Sequence, residues 1–200
     1  MKSPLFSLCV AWMLAAAPLA LADGHAAADK AIPVSGETFE CIRDMTAVRG
    51  FFVDNLLGNL DATVEVANSP DGGVYPPGSV VQLVPGEVMV KHPPGSSPAT
   101  KDWEFFELDV SPEGTDIRKR GFADVVNRFG GNCFACHVQA KPQWDMICET
   151  GHGCDPIPLT RDMLVLLQNT DPRCDDNPPL TDQDKATLKA LSDAAAAAAL

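Results

Sequence analysis

The chain has little basic charge and a single tyrosine. Fifteen Lys and Arg residues stand against 27 Asp and Glu, giving a formal net charge of −12 at pH 7 over 200 residues. An acidic surface repels phosphate backbones and anionic lipid headgroups, so the composition argues against a nucleic-acid or anionic-membrane partner. A basic redox partner would suit this charge, although an ordinary acidic surface explains it equally well.

Long apolar runs are also scarce. The one long run extends from Leu5 to Leu21, follows the basic Lys2 and overlaps an Ala20-Leu21-Ala22 cleavage pattern. These features predict a secretory signal peptide at residues 1–22. Cys9 lies inside the apolar run, which argues against a lipoprotein anchor. No later run approaches the roughly 20 residues needed to cross a bilayer, so we expect a soluble protein that is periplasmic or otherwise exported.

A second C-x-x-C motif and a pair of neighbouring histidines are both missing. His25, His92 and His152 are scattered, so a tetrahedral zinc site cannot be completed around the one C-x-x-C. Gly130-Gly131-Asn132 before that motif does not give the βαβ context of a thioredoxin-like redox pair. The motif itself is Cys133-Phe134-Ala135-Cys136-His137, or C-x-x-C-H, which in an exported chain predicts one covalently attached haem c.

The spacing of this motif follows from haem chemistry. Two cysteines three positions apart on a helical turn can each add to one vinyl group of the same porphyrin. The next residue can then offer an imidazole to the iron. Cys133 and Cys136 are therefore the predicted attachment points, and His137 is the predicted proximal iron ligand. Haem c is attached outside the bacterial cytoplasm, so the motif and the signal peptide indicate the same compartment.

The remaining cysteines predict two disulfides. Cys9 is lost with the signal and two others go to the haem, which leaves an even number in an oxidising compartment: Cys41, Cys148, Cys154 and Cys174. Three pairings are possible. We favour Cys148 with Cys154, which closes a short loop, and Cys41 with Cys174, which ties an early helix to the C-terminal segment. The second pair closes a long loop, where a cross-link is expected to stabilise most.

Helices are predicted on both sides of the motif. Apolar residues at helical spacing predict helices at residues 37–50 and 122–129, while residues 56–67 fit a helix and a strand equally well. Thr160 and Thr181 are candidate N-caps of two further helices near the C-terminus. Residues 23–36 lack an apolar period, and we expect them to form a flexible arm.

Strands are predicted in the middle of the chain. The β-rich runs 79–84 and 87–91 are split by Pro85-Gly86 and form either a hairpin or one bent strand. Residues 103–110 alternate as a further strand with large apolar groups on both faces. Strands followed by helices predict an α+β fold. We expect residues 37–200 to form a single domain.

The order of the motifs resembles that of a known family. A Tyr-Pro-x-Gly turn is followed by a Val-rich strand that ends in lysine, a Trp-x-Phe strand, and a late C-x-x-C-H with Trp and Asp after it: Tyr75-Pro76-Pro77-Gly78, Val88-Met89-Val90-Lys91, Trp103-Glu104-Phe105 and Trp144-Asp145. Over residues 45–147 this pattern resembles the cytochrome P-460 and cytochrome c′-beta family of exported, sheet-rich monohaem proteins.

The resemblance implies a curved antiparallel β-sheet with flanking helices around the haem, and no strong protein ligand opposite the histidine. Residues 37–147 would form the family-like core, and residues 148–200 a disulfide-linked helical extension. The iron would be five-coordinate and would bind a small ligand such as nitric oxide or oxidise hydroxylamine. In the P-460 branch a lysine is cross-linked to the porphyrin, and Lys91 and Lys101 are the candidates here. Three residues are candidates for an apolar cap over the iron: Phe52, Phe105 and Phe106.

Two other functions remain open from the sequence. One is a six-coordinate periplasmic electron carrier, in which the upper ligand is one of Met89, His92, Met146 and Met163. The late position of the motif, behind a β-rich region, is unlike that of small helical carriers, which place it near the mature N-terminus. The other is a scaffolding subunit whose haem only relays electrons.

Overall fold

The chain folds as an α+β protein built on one open, antiparallel sheet. The computed structural model describes residues 31–198, and the predicted signal peptide lies outside this range. Six strands form the sheet in chain order: β1 (Thr46–Val48), β2 (Phe51–Asn55), β3 (Ser79–Val84), β4 (Glu87–Lys91), β5 (Trp103–Ser111) and β6 (Gly114–Gly121). Each strand hydrogen-bonds the next, so the sheet is a simple meander.

Four α-helices lie within residues 31–198: α1 (Leu60–Asn68), α2 (Cys133–His137), α3 (Arg161–Asn169) and α4 (Asp182–Ala198). Both predicted N-caps of the two helices near the C-terminus are confirmed. Thr160 Oγ1 accepts from the Met163 amide at 3.2 Å, and Thr181 Oγ1 accepts from the Asp184 amide at 3.1 Å. Over the same range, no helix combines the length and the apolar character needed to span a bilayer.

Both faces of the sheet are buried, as the alternation in β5 predicts. On one face, Val53, Val81, Met89, Trp103 and Phe105 pack against α1 and against Cys133 and Phe134 of α2. We call this the motif face. The opposite face carries Val80, Val88, Val90, Phe106 and Leu108. Because the period of a strand is two, neighbouring residues of the same strand serve different sides of the molecule. The runs 79–84 and 87–91 form a hairpin, which settles the earlier alternative.

The predicted helix at residues 37–50 is wrong. That segment holds two short 3-10 turns, Gly36–Thr38 and Ile42–Asp44, followed by β1. Tertiary contacts override its helical period, because β1 pairs with β2 and the Ile42 amide donates to Asp171 Oδ2 at 2.9 Å. The ambiguous segment 56–67 contributes most of α1.

The predicted helix at residues 122–129 is also wrong. The segment is irregular and its Val126 forms an isolated antiparallel bridge with Asn132. Asn127 Oδ1 accepts from the amides of Phe129 and Gly131, at 3.1 and 2.8 Å. A short amide side chain that bonds nearby backbone groups competes with helical hydrogen bonds, which explains the difference.

The predicted flexible arm is wrong for its last residues. Ile32 and Val34 are buried, with 8% and 9% of their surface exposed. The Ile32 amide donates to His92 Nδ1 at 2.9 Å, and Arg120 donates to the Val34 carbonyl at 2.8 Å. Residues 23–30 of the predicted arm lie outside the described range.

Both predicted disulfides are present. Cys41 and Cys174 are 4.8 Å apart at Cα, and Cys148 and Cys154 are 5.6 Å apart. The first bridge joins residues 133 positions apart, so it ties the start of the described chain to the segment after α3. The second closes a short loop that follows the C-x-x-C-H motif in the chain.

Candidate functional site

The C-x-x-C-H motif forms α2, and the preceding loop fixes where this helix begins. Asn132 is its N-cap, with Oδ1 accepting from the Ala135 amide at 2.7 Å. Asn132 also donates to the Ala123 carbonyl, and the Cys133 amide donates to the Val125 carbonyl, both at 3.0 Å. Residues three and four apart on a helix are neighbours, so this short helix keeps both cysteines and the histidine close together.

The two motif cysteines are not in disulfides, whereas the other four cysteines of the described range are. Burial raises the pKa of Cys133 to about 12, and the nearby Glu87 and Glu107 act in the same direction. Burial also raises the pKa of Cys136, with Asp155 adding to the effect. A redox-active dithiol needs a thiol with a lowered pKa. The site is therefore poorly suited to thioredoxin-like chemistry.

His137 has the hydrogen bonding of a metal ligand. Its Nδ1 lies 2.7 Å from the Met146 carbonyl oxygen. A carbonyl only accepts, so Nδ1 carries the proton and Nε2 keeps a free lone pair. Burial lowers the pKa of His137, against the opposing effect of the Met146 hydrogen bond. The imidazole is thus held neutral, in the tautomer whose Nε2 could bind a metal ion.

The carbonyl group that accepts the His137 hydrogen bond belongs to a turn with an unusual backbone conformation. Asp145 and Met146 have φ angles of +47° and +71°, which are uncommon for residues with a side chain. Three groups hold Asp145 there. Its carboxylate accepts from Lys91 Nζ at 2.8 and 3.0 Å and from the Tyr75 amide at 3.0 Å. Its carbonyl accepts from Trp103 Nε1 at 2.8 Å.

Both candidate cross-linking lysines have partners in the protein. Lys91 is 5% exposed, and besides Asp145 its Nζ donates to the Lys101 carbonyl at 2.6 Å. Burial lowers the pKa of Lys91, while Asp145 opposes the shift. Lys101 Nζ donates to the Pro142 carbonyl at 2.9 Å. A bond from Lys91 to a porphyrin would break a buried ion pair, so this geometry favours a structural role for Lys91.

The three phenylalanines predicted to cap the iron do not lie on one face of the sheet. The ring centroids of Phe105 and His137 are 5.2 Å apart. Phe105 therefore packs beside the His137 ring on the motif face. Phe106 packs against Phe39 on the opposite face of the sheet. Phe52 alternates with residues of the motif face and so points away from it.

The four candidate upper ligands differ in availability. His92 is fully buried, with Nδ1 accepting from the Ile32 amide and Nε2 2.8 Å from Glu104 Oε2. Both of its nitrogens are therefore engaged. Met163 is half-buried on α3. Met89 and Met146 belong to the core of the motif face, where Met89 lies directly opposite Phe105 in the strand register.

Two carboxyl groups on the motif face were not predicted as site residues. Glu87 and Glu107 are direct partners in the β4–β5 register. Glu107 is fully buried, and its Oε1 accepts from Arg128 Nε at 2.7 Å while Oε2 has no partner among the described residues. Burial raises the pKa of Glu87 to about 7, helped by the charge of Glu107. The alternation of β5 is the only sequence signal for this pair, because it places Glu107 on the same face as Trp103 and Phe105.

The donor chemistry of α2 fits a covalent haem. Its thiols are unpaired and its imidazole has a free Nε2. Over residues 31–198, no group of three or more His, Cys, Asp or Glu side chains is arranged to hold a metal ion by itself. No protein-family model, curated protein or solved structure matches this chain, so the case for haem rests on these residues.

Proposed function

We propose that the protein is an exported c-type cytochrome with one haem attached through Cys133 and Cys136 and with His137 as the axial ligand below the iron. One observation carries the proposal. His137 donates from Nδ1 to the Met146 carbonyl and so offers Nε2, directly after a cysteine that has no disulfide partner. Metal-binding histidines characteristically use the second ring nitrogen in this way.

The surroundings of α2 support a bound group of substantial apolar area. Val126, Phe129 and Val138, close to the motif in sequence, are 37%, 40% and 50% exposed. Exposed apolar side chains near α2 offer surface that a bound group can cover. A haem held at α2 would cover apolar surface of this kind, and its iron would supply ligand binding and one-electron chemistry.

The favoured activity is binding of a small ligand such as nitric oxide, or oxidation of hydroxylamine, at a five-coordinate iron. Two features support it. The one histidine among the candidate upper ligands, His92, already uses both nitrogens. Glu87, with a pKa of about 7, gives the motif face a group that can accept or release a proton near neutral pH.

A six-coordinate electron carrier is the second candidate, with a periplasmic redox protein as its partner. The observation in its favour is the position of Met89. Its side chain is buried on the motif face, in the same core that Cys133 packs against. A thioether ligand would leave no open site on the iron and would suit electron transfer.

The attachment is tested by expressing the full chain in a host that matures c-type cytochromes. Haem should remain on the denatured wild-type protein, and a Cys133→Ala/Cys136→Ala variant should lose it. Cys148→Ala/Cys154→Ala removes an equal number of cysteines from the disulfide loop and should keep the haem. A wild-type chain that releases all its haem on denaturation would refute the proposal.

The ferric spectrum then separates the two activities. A high-spin spectrum that changes when nitric oxide is added supports a five-coordinate, ligand-binding iron. A low-spin spectrum with a weak sulfur-to-iron band at the red end supports methionine ligation. In that case Met89→Ala should convert the iron to the high-spin form, and loss of the band would identify Met89 as the ligand.

A further inference from the structure

We propose that Lys91 is a positioning residue for the axial ligand: its buried ion pair with Asp145 fixes the Met146 carbonyl that orients His137. The inference rests on the proposed function, because it concerns the histidine assigned to the iron. It gives Lys91 a role distinct from a covalent cross-link. Lys91 is on β4, distant in sequence from α2, so the pattern of the motif does not reveal the connection.

Lys91 joins two turns whose backbones are both in the left-handed region. Lys101 and Asp102 have φ angles of +50° and +68°, and Asp145 and Met146 have +47° and +71°. Lys91 Nζ donates to the Lys101 carbonyl in the first turn and to the Asp145 carboxylate in the second. Consecutive residues with side chains hold this conformation only where surrounding contacts impose it. Lys91 supplies contacts to both turns from one atom.

The ion pair is buried, so its geometry is strongly constrained. The side chains of Lys91 and Asp145 are 6% and 3% exposed. The ammonium also lies 5.1 Å from the centroid of the Trp103 ring, within range of a cation–π contact. A buried charge without its partner is very unfavourable, so neither side chain can leave the other without a large rearrangement. This fixes the Asp145 backbone relative to the sheet.

The fixed backbone places two successive carbonyl groups. The Asp145 carbonyl accepts from Trp103 Nε1 on β5, and the Met146 carbonyl accepts from His137 Nδ1. Without the ion pair, the second carbonyl would lose its fixed position. The His137 hydrogen bond would weaken, so its ring would rotate more freely and Nε2 would become a poorer electron donor. The iron would report this change.

The test compares Lys91→Met and Asp145→Asn with Lys189→Met. The control removes a lysine whose Nζ contacts both carboxylate oxygens of Asp193 at 2.8 and 3.0 Å, the same geometry as the buried pair, but at 76% exposure. Asparagine tolerates a left-handed φ, so Asp145→Asn can keep the same backbone conformation and the same side-chain volume. Hydrogen exchange of residues 141–147 and the iron–histidine stretching band of the ferrous haem protein are measured in each variant.

Both buried-site variants should show faster exchange at residues 141–147, a lower iron–histidine frequency and a raised reduction potential, with Lys189→Met like wild type. The double variant Lys91→Met/Asp145→Asn removes both charges and should recover stability while the iron–histidine band stays shifted. If the band returns to the wild-type position as stability recovers, or never shifts, Lys91 has only a structural role and the inference is wrong. A wild-type chain without haem would instead refute the proposed function, and this inference with it.

Discussion

At the scale of single residues, the chemistry of the site depends on which side-chain atoms already form hydrogen bonds or ion pairs. The motif singles out His137, but only the structure shows that Nδ1 donates to the Met146 carbonyl, so that Nε2 would be the nitrogen available to the proposed iron. Both ring nitrogens of His92 already have partners, which argues against His92 as an iron ligand. Lys91 likewise has a partner in Asp145. None of these partners is adjacent in sequence, which is why residue spacing could not predict them.

Replacing His137 by Gly should leave the porphyrin attached through the cysteines but change the ligation of the iron. The absorption spectrum of the purified protein measures this directly. His152→Gln is the matched control, because His152 also donates from Nδ1 to a backbone carbonyl, that of Ile147. An unchanged spectrum in the His137 variant would contradict the axial assignment.

Glu87 should make stability depend on pH in a defined window. Burial raises its pKa to about 7 from 4.5, so between these values the folded state holds more protons than the unfolded state. Ionisation of Glu87 therefore lowers the free energy of unfolding as pH rises from about 4.5 to about 7. Glu87→Gln removes the titration. The free energy of unfolding of the variant, measured relative to wild type, should therefore be higher at pH 7.5 than at pH 5. Urea unfolding at both values measures it, and an equal difference at the two values would contradict the assignment.

At the scale of elements, the sequence predicted the strand runs 79–84, 87–91 and the strand from Trp103, together with the caps Thr160 and Thr181. These predictions rest on local signals, namely alternation, turn residues and hydroxyl caps. The sequence left open whether 79–91 forms a hairpin, and it did not predict β6. The two wrong helices had a helical period, but β-pairing in one and Asn127 in the other satisfied the backbone differently. Apolar spacing reports which residues are buried and does not by itself fix the backbone that buries them.

Helix α2 is short, so its cap should matter. Asn132→Ala removes an acceptor for the Ala135 amide and should lower the free energy of unfolding by about 1 kcal/mol. Asn132→Asp keeps an oxygen in place and should lose less. Urea denaturation of the three proteins measures the order, and equal losses in both variants would show that the cap bond does not contribute.

At the scale of the whole molecule, disulfides join segments that the sheet does not. The bridge Cys41–Cys174 closes a loop between residues 133 positions apart, and Cys148–Cys154 one between residues 6 positions apart. Setting aside Cys9 and the two motif cysteines leaves four cysteines with three possible pairings, and the structure shows the pairing that the sequence analysis favoured. The way residues 31–36 pack over the sheet could not, since it depends on Arg120 and His92, which are distant in sequence.

Replacing Cys41 and Cys174 by Ser should lower stability by about 5 kcal/mol if the disulfide acts by restricting the unfolded chain. The same change at Cys148 and Cys154 should cost about 2 kcal/mol because the loop is shorter. Thermal unfolding under non-reducing conditions compares the two double variants. A larger loss from the short loop would show that local strain or packing dominates over chain entropy.

The most direct test of the account is mass spectrometry of the peptide that carries residues 133–137, from mature protein expressed with haem c maturation. The account predicts a single haem joined to this peptide through Cys133 and Cys136, with neither thiol available to alkylation. A peptide with two alkylatable thiols, or with a disulfide between these cysteines, would contradict it.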